Sequence, residues 1–165
     1  MNEAEFMRSY DEFSDALFRH CYFRMFERER AKDLVQEAFT RTWDYIARGK
    51  RIDNIRAFLY RVVNNLIIDE SRKHRPLSLE YLQEQGFDPG EDHREQLTDE
   101  IHVREIIHVL DRLGASEREL IVLRYIDGLG PKEIGETLGI GENVISVRLH
   151  RAVRELRKVL NQKNG

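Results

Sequence analysis

Apolar residues recur every three or four positions along most of this chain, which is the spacing of one face of an α-helix. The clearest stripe lies between Glu29 and Gly49, and Gly49 is expected to end that helix. Similar stripes predict a first helix from about Glu3 to Arg28 and a third from about Asn54 to Lys73. The pattern therefore predicts an all-α fold.

The third predicted helix has two contrasting faces. Its apolar face is expected to be buried and consists of Phe58, Leu59, Val62, Val63, Leu66 and Ile67. Its other face is expected to meet solvent and consists of Arg56, Tyr60, Arg61, Asn64, Asn65, Asp69 and Arg72. Arginine, amide and tyrosine side chains together suit stacking on bases and binding of phosphates. Such a face is also common on ordinary protein surfaces, so both interpretations stay open at this point.

The C-terminal part predicts four helices, of which the last two lie within residues 131–154. Thr98 can cap the first, which is expected to end at Gly114, and Ser116 with Glu119 predicts a capping box for the second. Pro131 suits the first turn of the third helix, because its missing N–H would be unpaired there anyway. The glycines at positions 139 and 141 then allow a tight reversal of the backbone.

The last helix pairs an apolar stripe with a polar and basic face. That face consists of Asn143, Ser146, His150, Arg151, Arg154 and Lys158. A helix that is apolar behind and basic in front can pack on a core while it enters a major groove, as in a DNA-binding helix-turn-helix. An ordinary amphipathic terminal helix with a solvated basic face stays open as the alternative.

Charge is unevenly distributed, although the net charge of the 165 residues is only −3. Lys and Arg outnumber Asp and Glu in residues 50–75 and in 142–165, whereas residues 76–100 contain many acids and only Arg94 as a base. Pro and Gly residues also interrupt this acidic stretch. We therefore expect two small helical domains, residues 1–75 and 98–165, joined by a flexible acidic linker at 76–97.

Several classes of protein are disfavoured by the sequence. No apolar run approaches the roughly 18–20 residues of a membrane span, and the N-terminus lacks the features of a secretory signal. The single cysteine, Cys21, excludes an internal disulfide framework and is expected to be a buried structural thiol. The N-terminus and the lack of disulfides together predict a cytoplasmic location. There is no phosphate-binding glycine loop and no Cys/His cluster at metal spacing, and neither His20 nor His150 has partners for a catalytic triad. We expect no catalytic residue, metal, cofactor or small-molecule substrate.

Over about residues 10–160 the chain resembles the extracytoplasmic-function sigma factors of bacterial RNA polymerase, which keep only regions 2 and 4. The matching segments are AKDLVQEAFTRTWDYI at 31–46, FLYRVVNNLIIDESRKHRPLSLE at 58–80, and LDRLGASERELIVLRYIDGLGPKEIGETLGIGENVISVRLHRAVRELRK at 110–158. Their joint occurrence in this order is highly specific. The resemblance implies an alternative sigma factor that binds core polymerase and directs promoter recognition, for a stress or envelope-responsive set of genes.

The resemblance also implies roles for residues of region 2. In the family, the helix that contains DLVQE contacts the coiled coil of the polymerase clamp, so the expected contacts here are Asp33, Leu34, Gln36, Glu37, Phe39, Arg41 and Thr42. The loop from Gly49 to Ile55 and the helix after it would bind the −10 element and hold a flipped base. The expected −10 residues are Lys50, Asp53, Asn54, Arg56, Arg61, Asn64, Asn65, Arg72 and Lys73.

Region 4 would bind the −35 element through the second helix of the helix-turn-helix. The base-facing candidates are Glu142, Asn143, Ser146, Val147 and His150. The candidate phosphate anchors are Arg118, Arg124, Lys132, Arg148, Arg151 and Arg154. The family commonly opens this helix with a Gly-Thr-Val-Lys-Ser-Arg run, whereas this chain has Asn-Val-Ile-Ser-Val-Arg at 143–148. The change replaces a lysine and two hydroxyls and predicts weaker or unusual −35 binding.

The resemblance further implies an anti-sigma factor as a partner, besides core RNA polymerase and promoter DNA. Two other classes stay open from the sequence: a helical adaptor that binds only proteins, and a helix-turn-helix regulator that acts independently of core polymerase. Transcription by core polymerase from a defined promoter would separate the three.

Overall fold

A computed structural model describes residues 1–73 and 97–164, and all regular elements within these two ranges are helical. The predicted all-α fold is therefore confirmed. The predicted linker at 76–97 lies almost entirely outside the described residues. Within the described ranges, no helix is long and apolar enough to cross a membrane. The same part of the chain contains no group of three or more His, Cys, Asp and Glu side chains that could hold a metal.

The N-terminal bundle contains three helices: α1 at Glu3–Met25, α2 at Arg28–Ala47 and α3 at Ile55–Lys73. A capping box between Asn2 and Glu5 begins α1, with 2.8 Å hydrogen bonds in both directions. The core includes Leu17 and Cys21, whose side chains are fully buried as predicted for the thiol.

The first helix ends earlier than predicted, because Phe26 adopts a left-handed conformation with φ 62°. That conformation disfavours a residue with a bulky side chain. Burial of the Phe26 ring, which is 1% exposed, compensates for this cost. The guanidinium of Arg118 lies 5.0 Å from the centre of the same ring.

The C-terminal bundle contains α4 at Leu97–Asp111, α5 at Ala115–Ile121, α6 at Pro131–Leu138 and α7 at Glu142–Asn164. A π-helical turn, Val122–Ile126, extends α5 and brings the backbone N–H of Asp127 to the carbonyl of Val122. The predicted capping box of Ser116 and Glu119 is wrong. The N-cap is Gly114, two residues before Ser116, and no side chain caps the helix.

The helix-turn-helix has the predicted geometry. Pro131 occupies the first turn of α6, and Gly139 ends that helix in the left-handed conformation with φ 70°. Ile134 of α6 and Ile145 of α7 are fully buried between the two helices and the rest of the bundle. These contacts fix the angle at which α7 leaves the turn, so its outer face stays exposed.

The two bundles pack against each other in this structure. Helices α1 and α3 contact the π-helical turn and α6. At the centre of this interface, Nδ1 of His20 donates to Oδ2 of Asp127 at 2.6 Å, and both side chains are essentially inaccessible to solvent. Beside this pair, Arg24 lies 3.6 Å from the carboxylate of Glu119. We call this arrangement the closed form.

Candidate polymerase and nucleic-acid interfaces

The outer face of α2 presents an acidic and amide-bearing surface. Asp33, Gln36, Glu37 and Arg41 are exposed there. The Arg41 guanidinium lies 2.7 Å from the Glu37 carboxylate, and the amide of Gln36 donates to the Tyr10 hydroxyl at 2.8 Å. These links orient the exposed side chains along one face of the helix.

The other three residues expected to contact polymerase lie on the inner face of α2. Leu34 is 7% exposed, Phe39 is 4% exposed and Thr42 is fully buried. The Thr42 hydroxyl donates to the carbonyl of Ala38 at 2.7 Å. All three side chains lie on the buried side of α2, so in this structure they support the exposed face from beneath.

The loop before α3 is exposed and carries Lys50, Asp53 and Asn54. The Lys50 ammonium lies 5.0 Å from the centre of the Tyr45 ring. The side chain of Asn54 accepts from the backbone N–H of Ala57 at 3.1 Å, which caps the start of α3. Lys50 and Asp53 are therefore accessible to a partner, whereas Asn54 has a structural role at the start of α3.

The polar face of α3 is covered only in part in the closed form. Tyr60 and Asn64 are buried, contrary to the prediction, whereas Arg61, Asn65, Asp69 and Arg72 are exposed as predicted. Tyr60 is 1% exposed and Asn64 is 5% exposed. Asn64 accepts from the Arg24 guanidinium at 2.6 Å. Burial, followed by the nearby Asp127 carboxylate, raises the pKa of Tyr60. The prediction failed because a single helix stripe cannot reveal that a second domain packs on the opposite side.

Two candidate −10 arginines of α3 contact the C-terminal bundle. Arg56 lies 3.2 Å from the Glu133 carboxylate and donates to the carbonyl of Asp127 at 3.4 Å. Arg61 donates to the carbonyl of Glu136 at 2.8 Å. These contacts join the guanidinium groups of both arginines to the C-terminal bundle. Farther along α3, the candidates Asn65 and Arg72 are exposed, and the side chain of Lys73 lies outside the described residues.

The outer face of α7 is exposed and basic. The structure brings together on it the predicted residues Glu142, Asn143, Ser146, Val147, Arg148, His150, Arg151 and Arg154. Lys132 is exposed on α6, before the turn that leads to this helix. The arrangement is that of a helix-turn-helix whose second helix can enter a major groove while arginines on its sides meet the phosphates.

Arg118 does not fit its predicted role as a phosphate anchor in this arrangement, whereas Arg124 is accessible. Arg118 donates to the carbonyls of Leu110, Asp111 and Leu113 at 2.8, 3.3 and 3.2 Å. It thereby satisfies carbonyls at and after the end of α4, and burial lowers its pKa. Arg124 is exposed but donates to the carbonyl of Leu129 at 3.3 Å.

The sequence did not reveal the polar cluster between the bundles. His20, Arg24, Glu119 and Asp127 come from three separate segments, and only the fold brings them together. An indication is present in the first helix, where His20 and Arg24 are one turn apart next to the apolar stripe that contains Cys21. That spacing indicates a buried polar contact but not its partner.

Comparison with known proteins identifies the family. Residues 9–76 match the family model of Sigma-70 region 2, and residues 109–158 match that of Sigma-70, region 4. The ECF RNA polymerase sigma factor SigL of Mycobacterium tuberculosis is 32% identical over 162 residues, which cover 97% of this chain and 92% of SigL. The ECF RNA polymerase sigma factor SigW of Bacillus subtilis is 30% identical over 163 residues, with 91% and 86% covered.

Solved structures share the fold at lower identity. CnrH, solved in complex with the cytosolic domain of CnrY, is 21% identical, with a TM-score of 0.75 over 98% of this chain and 90% of CnrH. The sigma factor RpoE of Bartonella quintana, solved with the anti-sigma factor NepR, is also 21% identical, with a TM-score of 0.69 and coverage of 95% and 97%. Together with the two region matches and the sequence relatives, this shows that the chain belongs to the sigma-70 family as an extracytoplasmic-function sigma factor, an alternative sigma factor that directs transcription initiation.

Proposed function

We propose that this sigma factor binds core RNA polymerase through the outer face of α2 and binds promoter DNA through α3 and α7. The observation that carries the proposal is the exposed polar and basic face of α7 at the end of a well-packed helix-turn-helix. Region 2 corresponds to residues 1–75, the linker to 76–97 and region 4 to 98–165. The protein acts in the cytoplasm and carries out no chemistry of its own, as is usual for a family that is not a family of enzymes.

The polymerase contact is formed by Asp33, Gln36, Glu37 and Arg41. Acidic and amide groups suit a basic partner surface, because complementary charge accelerates association and disfavours wrong partners. Leu34 and Phe39 support this face from the core, so it keeps its shape when polymerase binds.

The −10 contact requires the two bundles to separate. In the closed form, Arg56 and Arg61 contact α6 and Tyr60 is buried, so single-stranded DNA cannot reach Tyr60 and would have to displace the contacts of the two arginines. After separation, the two arginines can bind phosphates and Tyr60 can stack on a base. The exposed Asn65 and Arg72 extend the same path along the helix, and Lys73 remains a candidate from the sequence.

An anti-sigma factor is the proposed regulatory partner. The two structural neighbours were solved in complexes, CnrH with the cytosolic domain of CnrY and RpoE with the anti-sigma factor NepR. A protein that binds across both bundles would favour the closed form, because it makes its full set of contacts only while they are packed together.

Transcription by a reconstituted holoenzyme tests the proposed function. Core polymerase with this chain should initiate at a defined promoter, whereas core polymerase alone should not. The double reversal Asp33→Lys with Glu37→Lys should reduce co-purification with core polymerase, while circular dichroism shows an intact fold. The matched control is Asp11→Lys with Glu12→Lys, two exposed acids on α1, which should assemble normally.

Two results would contradict the proposal. Specific initiation that does not require the added chain would exclude a sigma-factor role and favour an adaptor or an independent regulator. Normal co-purification of the α2 reversal would place the polymerase contact on another face.

A further inference from the structure

Two valines lie exposed on the face of α7 that is proposed to enter the major groove. Val144 is 45% exposed and Val147 is 53% exposed, whereas Ile145 between them is fully buried. Each residue of a helix turns by about 100°. Val147 therefore lies about 200° from Ile145, at the middle of the outer face, and Val144 lies one turn before it on the side of that face.

The surroundings of these valines suit nucleic acid. The pair is surrounded by exposed polar and basic side chains, which are Asn143, Ser146, Arg148, His150, Arg151 and Arg154. A site for an apolar protein surface would be expected to have a larger apolar patch than two side chains. The nearest other exposed large apolar residue on this helix is Leu160, more than three turns away.

The chemistry of valine restricts what it can recognise in a groove. A valine side chain has no donor or acceptor, so it can bind neither a phosphate nor the hydrogen-bonding edge of a base. The apolar group that base pairs present in the major groove is the C5-methyl of thymine. Contact between a valine methyl and this group removes apolar surface from water on both sides.

We propose that Val147, with Val144 beside it, selects thymine in the −35 element by packing against its C5-methyl group. This inference rests on the proposed role of α7 in −35 binding. Asn143 and His150 flank Val147 on the outer face and supply donors and acceptors for the neighbouring bases. The preferred −35 sequence should therefore contain thymine at one or two positions that face the first two turns of α7.

Replacement of thymine by uracil isolates the methyl group, because uracil has the same hydrogen-bonding edges. The holoenzyme first selects its −35 sequence from a duplex library randomised at those positions. Each selected thymine is then replaced by uracil and the dissociation constant is measured. We expect the affinity to decrease about fourfold when uracil replaces the contacted thymine, because burial of one methyl-sized group contributes about this much to binding.

Variants assign the effect to the valines. In the holoenzyme with Val147→Ala, the thymine-to-uracil ratio of affinities should fall from about four to about one, because the partner methyls are gone. Val144→Ala should lower the ratio at the same or the adjacent position. Leu160→Ala is the matched control, since it also removes an exposed apolar group from α7 but far from the groove, and the fourfold ratio should be retained.

The contrary outcomes separate this inference from the proposed function. Selection of a −35 sequence without thymine, or equal affinities for thymine and uracil in the wild-type holoenzyme, would overturn the role of the valines while −35 binding stands. A ratio that survives both valine variants would overturn it too. A holoenzyme that assembles and initiates without any −35 preference would instead contradict the proposed role of α7 itself.

Discussion

Replacement of Asp127 by alanine should weaken the packing of the two bundles without unfolding either of them. The Asp127 carboxylate accepts from Nδ1 of His20 at 2.6 Å, and the side chains are 1% and 0% exposed. Nε2 of His20 lies 3.5 Å from the Arg24 guanidinium. No hydrogen bond of the Asp127 carboxylate to its own bundle is found among the described residues. Removal of this carboxylate therefore affects the interface.

The magnitude follows from burial of this hydrogen bond. A hydrogen bond to a charged group contributes about 1.5–3 kcal/mol, and the variant leaves the His20 nitrogen without an acceptor in a dry environment. When the bundles separate, both groups are hydrated, so the change acts on the closed form alone. Since about 1.4 kcal/mol corresponds to a factor of ten, the open population should rise about 10- to 150-fold.

A thiol introduced in the interface can measure this shift even when the open form is rare. Thr137 is 2% exposed and lies in the cleft between α6 and α3, next to Ala57 and Tyr60. Thr137→Cys keeps a side chain of similar volume, and its alkylation rate is proportional to the open population when the bundles exchange rapidly. Peptide mass spectrometry distinguishes this thiol from Cys21. With Asp127→Ala added, alkylation should be about 10- to 150-fold faster.

A matched carboxylate removal provides the control. Glu155 pairs with Lys158 at 3.1 Å on the exposed part of α7, and such pairs contribute about 0–1 kcal/mol. Glu155→Ala should therefore leave the alkylation rate nearly unchanged. The reasoning is refuted if Asp127→Ala gives the same rate as wild type with both bundles folded by circular dichroism. It is refuted equally if the variant melts the C-terminal bundle, because the pair would then stabilise that bundle and not the interface.

Three further predictions concern the DNA-binding face, the thiol and the core. Replacing both Arg148 and Arg151 by alanine should lower the salt slope of −35 binding by about one for each phosphate that is no longer neutralised, and an unchanged slope would exclude these contacts. Burial raises the pKa of Cys21 to about 12, so its thiolate is scarce at pH 8. It should react with a disulfide reagent far more slowly than a free thiol until urea is added, and immediate reaction would contradict its burial. Ile134→Ala should destabilise the C-terminal bundle by about 2–5 kcal/mol in urea unfolding, against well under 1 kcal/mol for Leu160→Ala.

Local patterns predicted the helices well because their causes are local. Pro131 at a helix start and Gly139 in a left-handed helix end act on the backbone within a few residues, so the helix-turn-helix was predictable from sequence. The predicted helix boundaries were wrong where a contact with a residue distant in sequence determines the end of the helix. Phe26 ends α1 in a conformation that disfavours phenylalanine, and burial of its ring against Arg118 of the other bundle makes this tolerable.

The candidate site was predicted only in part, because one of its faces depends on a contact that is distant in sequence. The exposed face of α7 follows from the periodicity of one helix, and the structure has it as expected. The burial of Tyr60 on the polar face of α3 did not follow, because this side chain lies against a bundle that is far along the chain. Periodicity reports which side of a helix meets its own bundle. It contains no information on a second partner for the polar side.

Two kinds of contact cross the interface between the bundles. One is buried and holds the bundles together, and the other is exposed and covers part of the proposed −10 face. His20 and Asp127 form a buried contact that is costly to break, whereas the Arg56 and Glu133 side chains of the covering ion pair are 39% and 50% exposed. An exposed ion pair contributes little, so Arg56 can exchange the Glu133 carboxylate for a phosphate at small cost. The closed form is therefore held in part by His20 and Asp127, which are not among the proposed DNA contacts. The outer faces of α2 and α7, which we propose for polymerase and −35 binding, are exposed in this form, whereas the proposed −10 face of α3 is covered in part.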